Sequence, residues 1–204
     1  MRKISLIAFV LLIGLATTQA QVKVSPGIRG GLNLSTLTNI DDNGMKSDYY
    51  IGGLVEIKFN KYFTLQPEIT YSRQGSDGSY FDGNPGQNTI PKDTKYELNY
   101  VTLGAVAKFN FGGQGFHVLA GPSLDIKTSD NFGRYGYDPI GTDLAFVGGI
   151  GYSLPNGLTF EARFKQGLID IYGYDGIDYD DYYYDQVILN QVLQFGISYT
   201  FKVK

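Results

Sequence analysis

The 204-residue chain has no cysteine, no tryptophan and a single histidine. Without thiols it carries no disulfide scaffold, no thiolate metal site and no cysteine for lipid attachment after export. Charge is sparse: 17 Lys and Arg stand against 20 Asp and Glu, a formal net of -3, which excludes the basic footprint of a nucleic-acid binder. Past the N-terminus no apolar run approaches the roughly 20 residues a helix needs to cross a bilayer, and no segment shows a convincing helical period. In excess are 27 Gly, 17 Tyr and 13 Phe, a profile of closely approaching strands with aromatic ends.

The chain opens MRKISLIAFVLLIGLATTQAQ. Arg2 and Lys3 form a basic region, Ile4 to Ala16 an apolar run, and Thr18-Gln19-Ala20 a small-x-small site. Together they predict a secretory signal peptide over residues 1–20, cleaved before Gln21. The apolar run is too short for a membrane anchor. Residues 21–204 are then one exported domain.

Eight segments in that domain alternate apolar and polar residues, the period of a strand with one oily and one wet face. In order they are GIRGGLNLS, YYIGGLVEIKF, YFTLQPEITYSRQG, YELNYVTLGAVAKF, FHVLAGPSLDIK, DLAFVGGIGYS, LTFEARFKQG and VILNQVLQFGISYTF. The seventh is the sharpest, with Glu161, Arg163 and Lys165 in succession on one face. The fourth is mixed, because Leu98, Tyr100 and Val106 share the wet row with Thr102 and Lys108. Links after the second, fourth and sixth segments are short and turn-like. Links after the first, third, fifth and seventh are long and polar. Short on one side and long on the other is the wiring of an outer-membrane barrel.

Two architectures fit the alternation. A soluble lipocalin-like barrel, a small-molecule binder, would turn the oily rows inward and leave the charges in water. Turning them outward instead brings Phe59, Phe63, Phe109, Phe116, Tyr152, Phe160, Tyr199 and Phe201 to the short-turn end, and Tyr49, Tyr71 and Tyr96 to the long-loop end. Two aromatic girdles around Ile, Leu, Val, Ala and Gly are what a bilayer selects. The expected fold is therefore all-β: an eight-stranded antiparallel up-and-down transmembrane β-barrel with short periplasmic turns and long extracellular loops.

Its inward row carries Arg29, Glu56, Lys58, Glu68, Lys108, Asp125, Lys127, Glu161, Arg163 and Lys165. A barrel of eight strands is filled by its own side chains, so these groups are expected to interlock as ion pairs. Pro67 and Pro122 lie within strands and lack a ladder donor, which predicts a bulge or a missing hydrogen bond at each.

Enzyme chemistry wants a nucleophile, a base and an orienting group within reach. His117 lies at the short-turn end, away from the loops where substrate would arrive. Glu68 and Glu161 with Arg163 are read as structural carboxylates rather than as an acid and base pair. The last long link, YGYDGIDYDDYYYD, carries Asp175, Asp178, Asp180, Asp181 and Asp185 interleaved with Tyr182, Tyr183 and Tyr184. It is read first as a solvated cell-surface loop, then as contact with a protein or glycan; a calcium site ranks third, because the spacing misses the EF-hand pattern. No enzymatic activity and no cofactor are expected.

The signal peptide with GIRGGLNLS, LQPEITYS, YVTLGAVAKFNF, VLAGPSL, FVGGIGY, LTFEARFKQGL and LQFGISYTF, in that order and spacing, resembles the porin-like outer-membrane β-barrel domain family, of the PorT-like Bacteroidota type. In strand number the chain is also similar to small barrels of the OmpX and OmpA type. The resemblance implies residence in the bacterial outer membrane, contact with its lipid, and a role that is structural or exercised at the surface, with a narrow passive channel as the alternative. Both strand prolines, in QPE and GP, are typical of that family. The closing SYTFKVK resembles the aromatic-ended signal read by the barrel-assembly machinery.

Overall fold

The computed structural model describes residues 22–39, 44–78, 95–111, 115–135, 138–173 and 187–201. The predicted signal peptide and the loop candidates Asp175, Asp178, Asp180, Asp181, Tyr182, Tyr183 and Tyr184 lie outside them. Eight strands form: β1 (Lys23–Leu37), β2 (Lys46–Lys58), β3 (Phe63–Asp77), β4 (Lys95–Asn110), β5 (Phe116–Asp130), β6 (Thr142–Ser153), β7 (Leu158–Gly167) and β8 (Asn190–Thr200). Among the described residues a 3-10 turn, Phe132–Tyr135, lies in the link between β5 and β6.

Each strand pairs antiparallel with its sequence neighbour, and β1 closes on β8 from Gly27↔Thr200 to Leu37↔Asn190. Closure leaves no sheet edge, the condition for a strand protein in hydrocarbon. The short turns are built for their task. The Asn60 side-chain oxygen accepts from the backbone N–H of Tyr62 and Phe63, each at 2.8 Å. Gly157 takes φ 98° in the β6–β7 turn, a conformation that favours glycine.

The alternation sets the faces. Ile28, Leu32, Ile69, Leu103, Phe146, Ile150 and Ile197 all point outward and are exposed, while Arg29, Asn33, Gln66, Thr102, Lys108 and Arg163 are buried. The soluble alternative required the reverse. One aromatic departs from expectation. Tyr96, assigned above to the long-loop girdle, is only 1% exposed. It shares parity with Leu98 and Tyr100, so its ring faces the lumen.

The prolines interrupt the ladders without shifting them. Between β2 and β3 pairing runs to Leu54↔Glu68, skips Val55 and Glu56 opposite Pro67 and Gln66, and resumes at Ile57↔Leu65 in the same register. Between β4 and β5 it stops at Gly104↔Ser123 and resumes at Ala107↔Ala120, stepping over Pro122. The expectation of a missing hydrogen bond thus describes both, and no bulge is needed. The one register irregularity falls at Asn99/Tyr100 on β4.

Candidate functional site

The lumen is filled in layers. Nearest the short turns is a chain of ions. Glu56 on β2 accepts from Lys58 at 3.1 Å and from Lys108 on β4 at 3.3 Å. Lys108 also meets Glu161 on β7 at 2.7 Å. Glu161 receives Arg163 at 2.8 Å, and Arg163 reaches across to Glu68 on β3, again at 2.8 Å. Glu68 in turn binds Arg29 on β1 at 2.5 Å. In a cylinder of eight strands β3 and β7 stand opposite each other, so the Arg163–Glu68 pair spans the bore.

Three buried cations, Arg29, Lys108 and Arg163, thus face three buried carboxylates, Glu56, Glu68 and Glu161. Ions removed from water are tolerable when each is paired and its remaining hydrogen-bonding capacity is used. Extra partners help here: Gln66 donates to Glu68 at 2.7 Å, and Arg29 donates to the Tyr50 hydroxyl at 3.1 Å. Close approach is made possible by absent side chains. A Cβ at Gly196 would collide with the Tyr50 hydroxyl, and one at Gly151 would press on the His117 ring at 2.5 Å.

Above the ions, Lys165 pairs with Asp125, which accepts from the Thr102 hydroxyl at 2.7 Å. An amide layer follows. Gln194 donates to Asn33 at 2.9 Å, Asn33 and Gln74 both donate to the Ser72 hydroxyl at 2.9 Å, and Asn190 donates to Gln74 at 2.5 Å. These donors come from β1, β3 and β8, so the layer ties those strands together toward the long-loop end, with Gln74 opposite Leu98 and Asn190 opposite Leu37.

At the long-loop end the lumen turns apolar. Leu37, Tyr96, Leu98, Tyr100, Phe132 and Ile171 form one buried cluster, with Tyr172 and Ile188 packed against it. The Phe132 and Tyr96 rings lie 4.9 Å apart. Phe132 and Ile171 belong to links between strands, and backbone hydrogen bonds Ile171→Ile188 at 3.0 Å and Ile140→Ile171 at 2.7 Å lock those links together. The bases of the loops are therefore folded into the barrel as a cap.

Of the ten interior charges expected from sequence, eight are brought together in these contacts: Arg29, Glu56, Glu68, Lys108, Asp125, Glu161, Arg163 and Lys165. Lys58 is one exception: it reaches Glu56, yet its side chain is 47% exposed at the mouth. Lys127 lies at the opposite end, on Asp130 at 2.8 Å. His117 is fully buried with Nε2 at 3.5 Å from Glu161, and its Nδ1 approaches the Gly115 carbonyl at 3.2 Å. Each carboxylate of the ion chain is already held by cations, an arrangement suited to bracing the barrel rather than to proton transfer. The cap escaped sequence reasoning. Its one signal was the impure wet row of the fourth segment, where Leu98 and Tyr100 sit among polar residues.

Solved structures similar to this barrel include three from bacterial pathogens. Neisserial surface protein A has a TM-score of 0.52 at 12% identity, over 88% of this chain and 99% of its own. Ail, the attachment invasion locus protein of Yersinia pestis, aligns over 88% of this chain and 99% of its own, with 11% identity and a TM-score of 0.47. OprG from Pseudomonas aeruginosa covers 91% and 99%, with 12% identity and a TM-score of 0.45. At such identities the likeness to the neisserial protein concerns the fold alone. No curated protein matches the chain in sequence. The family of the outer membrane protein beta-barrel domain matches residues 19–173, most of the chain, and the protein belongs to it: a barrel of the bacterial outer membrane.

Proposed function

We propose that this protein is a non-enzymatic, non-conducting barrel whose role is structural or exercised at the cell surface through its long loops. The observation that carries this reading is the double obstruction of the bore: the Arg163–Glu68 pair across its width, and the cap built on Phe132 above it. A solute would have to break paired ions inside a narrow cylinder, which costs several kcal/mol per ion. The finer kinship, to the PorT-like group of Bacteroidota, rests on the quoted strand motifs and stands as part of the same proposal.

The partners follow from that role. Membrane lipid covers the apolar belt, and the assembly machinery reads the aromatic C-terminal strand. A surface protein or glycan would be engaged through the tyrosine- and aspartate-rich stretch from Asp175 to Tyr184. Incorporation of the purified protein into a planar bilayer tests the closed bore. The expected record is silent, and a large steady current would favour the narrow passive channel. Replacing residues 174–186 by a short glycine-serine linker is expected to abolish surface adhesion while leaving a folded, heat-resistant barrel. Adhesion equal to that of the native protein would remove the loop reading.

A further inference from the structure

We propose that the periplasmic mouth of the barrel is a binding site for a soluble multivalent oxyanion, a solute bearing phosphate or carboxylate groups. The mouth is a cavity of about 510 Å³, within the size range of small-molecule sites. It is lined by Lys23, Lys58, Lys61 and Lys108, with Glu56 the one carboxylate among its walls. The sign of the cavity therefore opposes that of the chain as a whole, whose net charge is -3.

The lysines are placed by register. Lys23 on β1 stands directly opposite Lys58 on β2. Lys58 stands opposite Thr64 on β3, and Thr64 opposite Lys108 on β4. One rung thus carries three ammonium groups and a hydroxyl across four strands, all on the lumen face. Like charges directly opposed in an antiparallel pair are destabilising, and here only part of the repulsion is relieved internally. Glu56 is engaged by Lys58 and Lys108, and Glu161 takes the remaining reach of Lys108. Among the described residues no carboxylate comes within ion-pair distance of Lys23 or Lys61. Lys61 lies over the Tyr62 ring at 4.9 Å, at the lip of the cavity.

Two ammonium groups beyond those matched by Glu56, converging on a half-enclosed pocket, form a positive potential well that concentrates anions. Ammonium groups bind phosphate and carboxylate oxygens as point charges, and Asn110 and Thr64 add neutral polar groups to the wall. The lysines of the rung face the lumen rather than the lipid, so the site is open to solutes from the periplasm. Deeper in the barrel the paired ions close the bore, which makes the mouth a blind vestibule where a ligand docks without passing through.

Titration calorimetry of the full chain, refolded in a non-ionic maltoside detergent, tests this, with inorganic pyrophosphate as the phosphate probe and citrate as the carboxylate probe. Saturable binding of at least one probe is expected, weakening as ionic strength rises. It should fall about tenfold or more in Lys23→Gln/Lys58→Gln, fall also in Lys61→Gln, and stay unchanged in Lys95→Gln at the opposite end of the barrel. Lys61 lies in an exposed turn, so that variant keeps the test decisive even if the double variant misfolds. Absence of saturable binding at millimolar probe concentration, or undiminished affinity in Lys61→Gln, overturns the proposal.

Discussion

Arg163 is 1% exposed, deep inside a membrane-spanning barrel, where two carboxylates on two strands, Glu68 and Glu161, are aimed at it. Arg163→Ala removes the cation and leaves both carboxylates buried with one partner fewer. The expected loss is about 3–5 kcal/mol, read from urea unfolding followed by circular dichroism or gel mobility, since the chain has no tryptophan. An unchanged midpoint would show that the ion chain does not brace the wall. Gly196 makes the complementary point about space. Its hydrogen lies where the Tyr50 hydroxyl needs room, so Gly196→Ala is expected to cost about 1–3 kcal/mol through overpacking. In a Tyr50→Phe background most of that cost should vanish, and a cost that persists would locate the clash elsewhere.

At the scale of the element, strand length and loop base act together. β3, β4 and β5 have 15, 16 and 15 residues, against 10 in β7 and 11 in β8. About 9 to 11 suffice to cross a bilayer, so the long strands rise above the membrane on the loop side. That rise gives Tyr96 and Leu98 a height at which Phe132 and Ile171 can cover them. Phe132→Ala empties the centre of the cap and is expected to cost about 3 kcal/mol or more, with faster hydrogen exchange at Leu37, Tyr96 and Ile171. The bilayer record of this variant should stay silent, because the ion layer beneath is intact. A current that appears on cap removal alone would mean that the cap is the sole seal.

For the whole molecule the decisive property is the outward belt. Leu103 lies six residues above Phe109 of the short-turn girdle, near the middle of the hydrocarbon, whereas Tyr152 lies in the girdle itself; both side chains are exposed on the outer face. Leu103→Arg is expected to lower stability by about 2–4 kcal/mol and Tyr152→Arg by at most about 1, because the cost of a lipid-facing charge depends on depth. Equal penalties at the two sites would contradict a bilayer around this surface.

The strands, their faces and the outward oily belt were legible in the residues, because a period of two is a local property that each segment carries without reference to the others. The exception is local too: Tyr96 shares the parity of Leu98 and Tyr100, which places its ring in the lumen and not in the girdle. Which charges meet was not legible. Glu68 and Arg163 are far apart along the chain and become partners only when closure of the sheet sets β3 across from β7. The cap likewise depends on where the chain leaves the barrel and turns back, so polar-looking links hid Phe132 and Ile171 until the folded cylinder gave them Leu98 and Tyr100 to cover. Periodicity is written residue by residue, whereas contact across a lumen is created by closure of the barrel, and only the tertiary structure decides it.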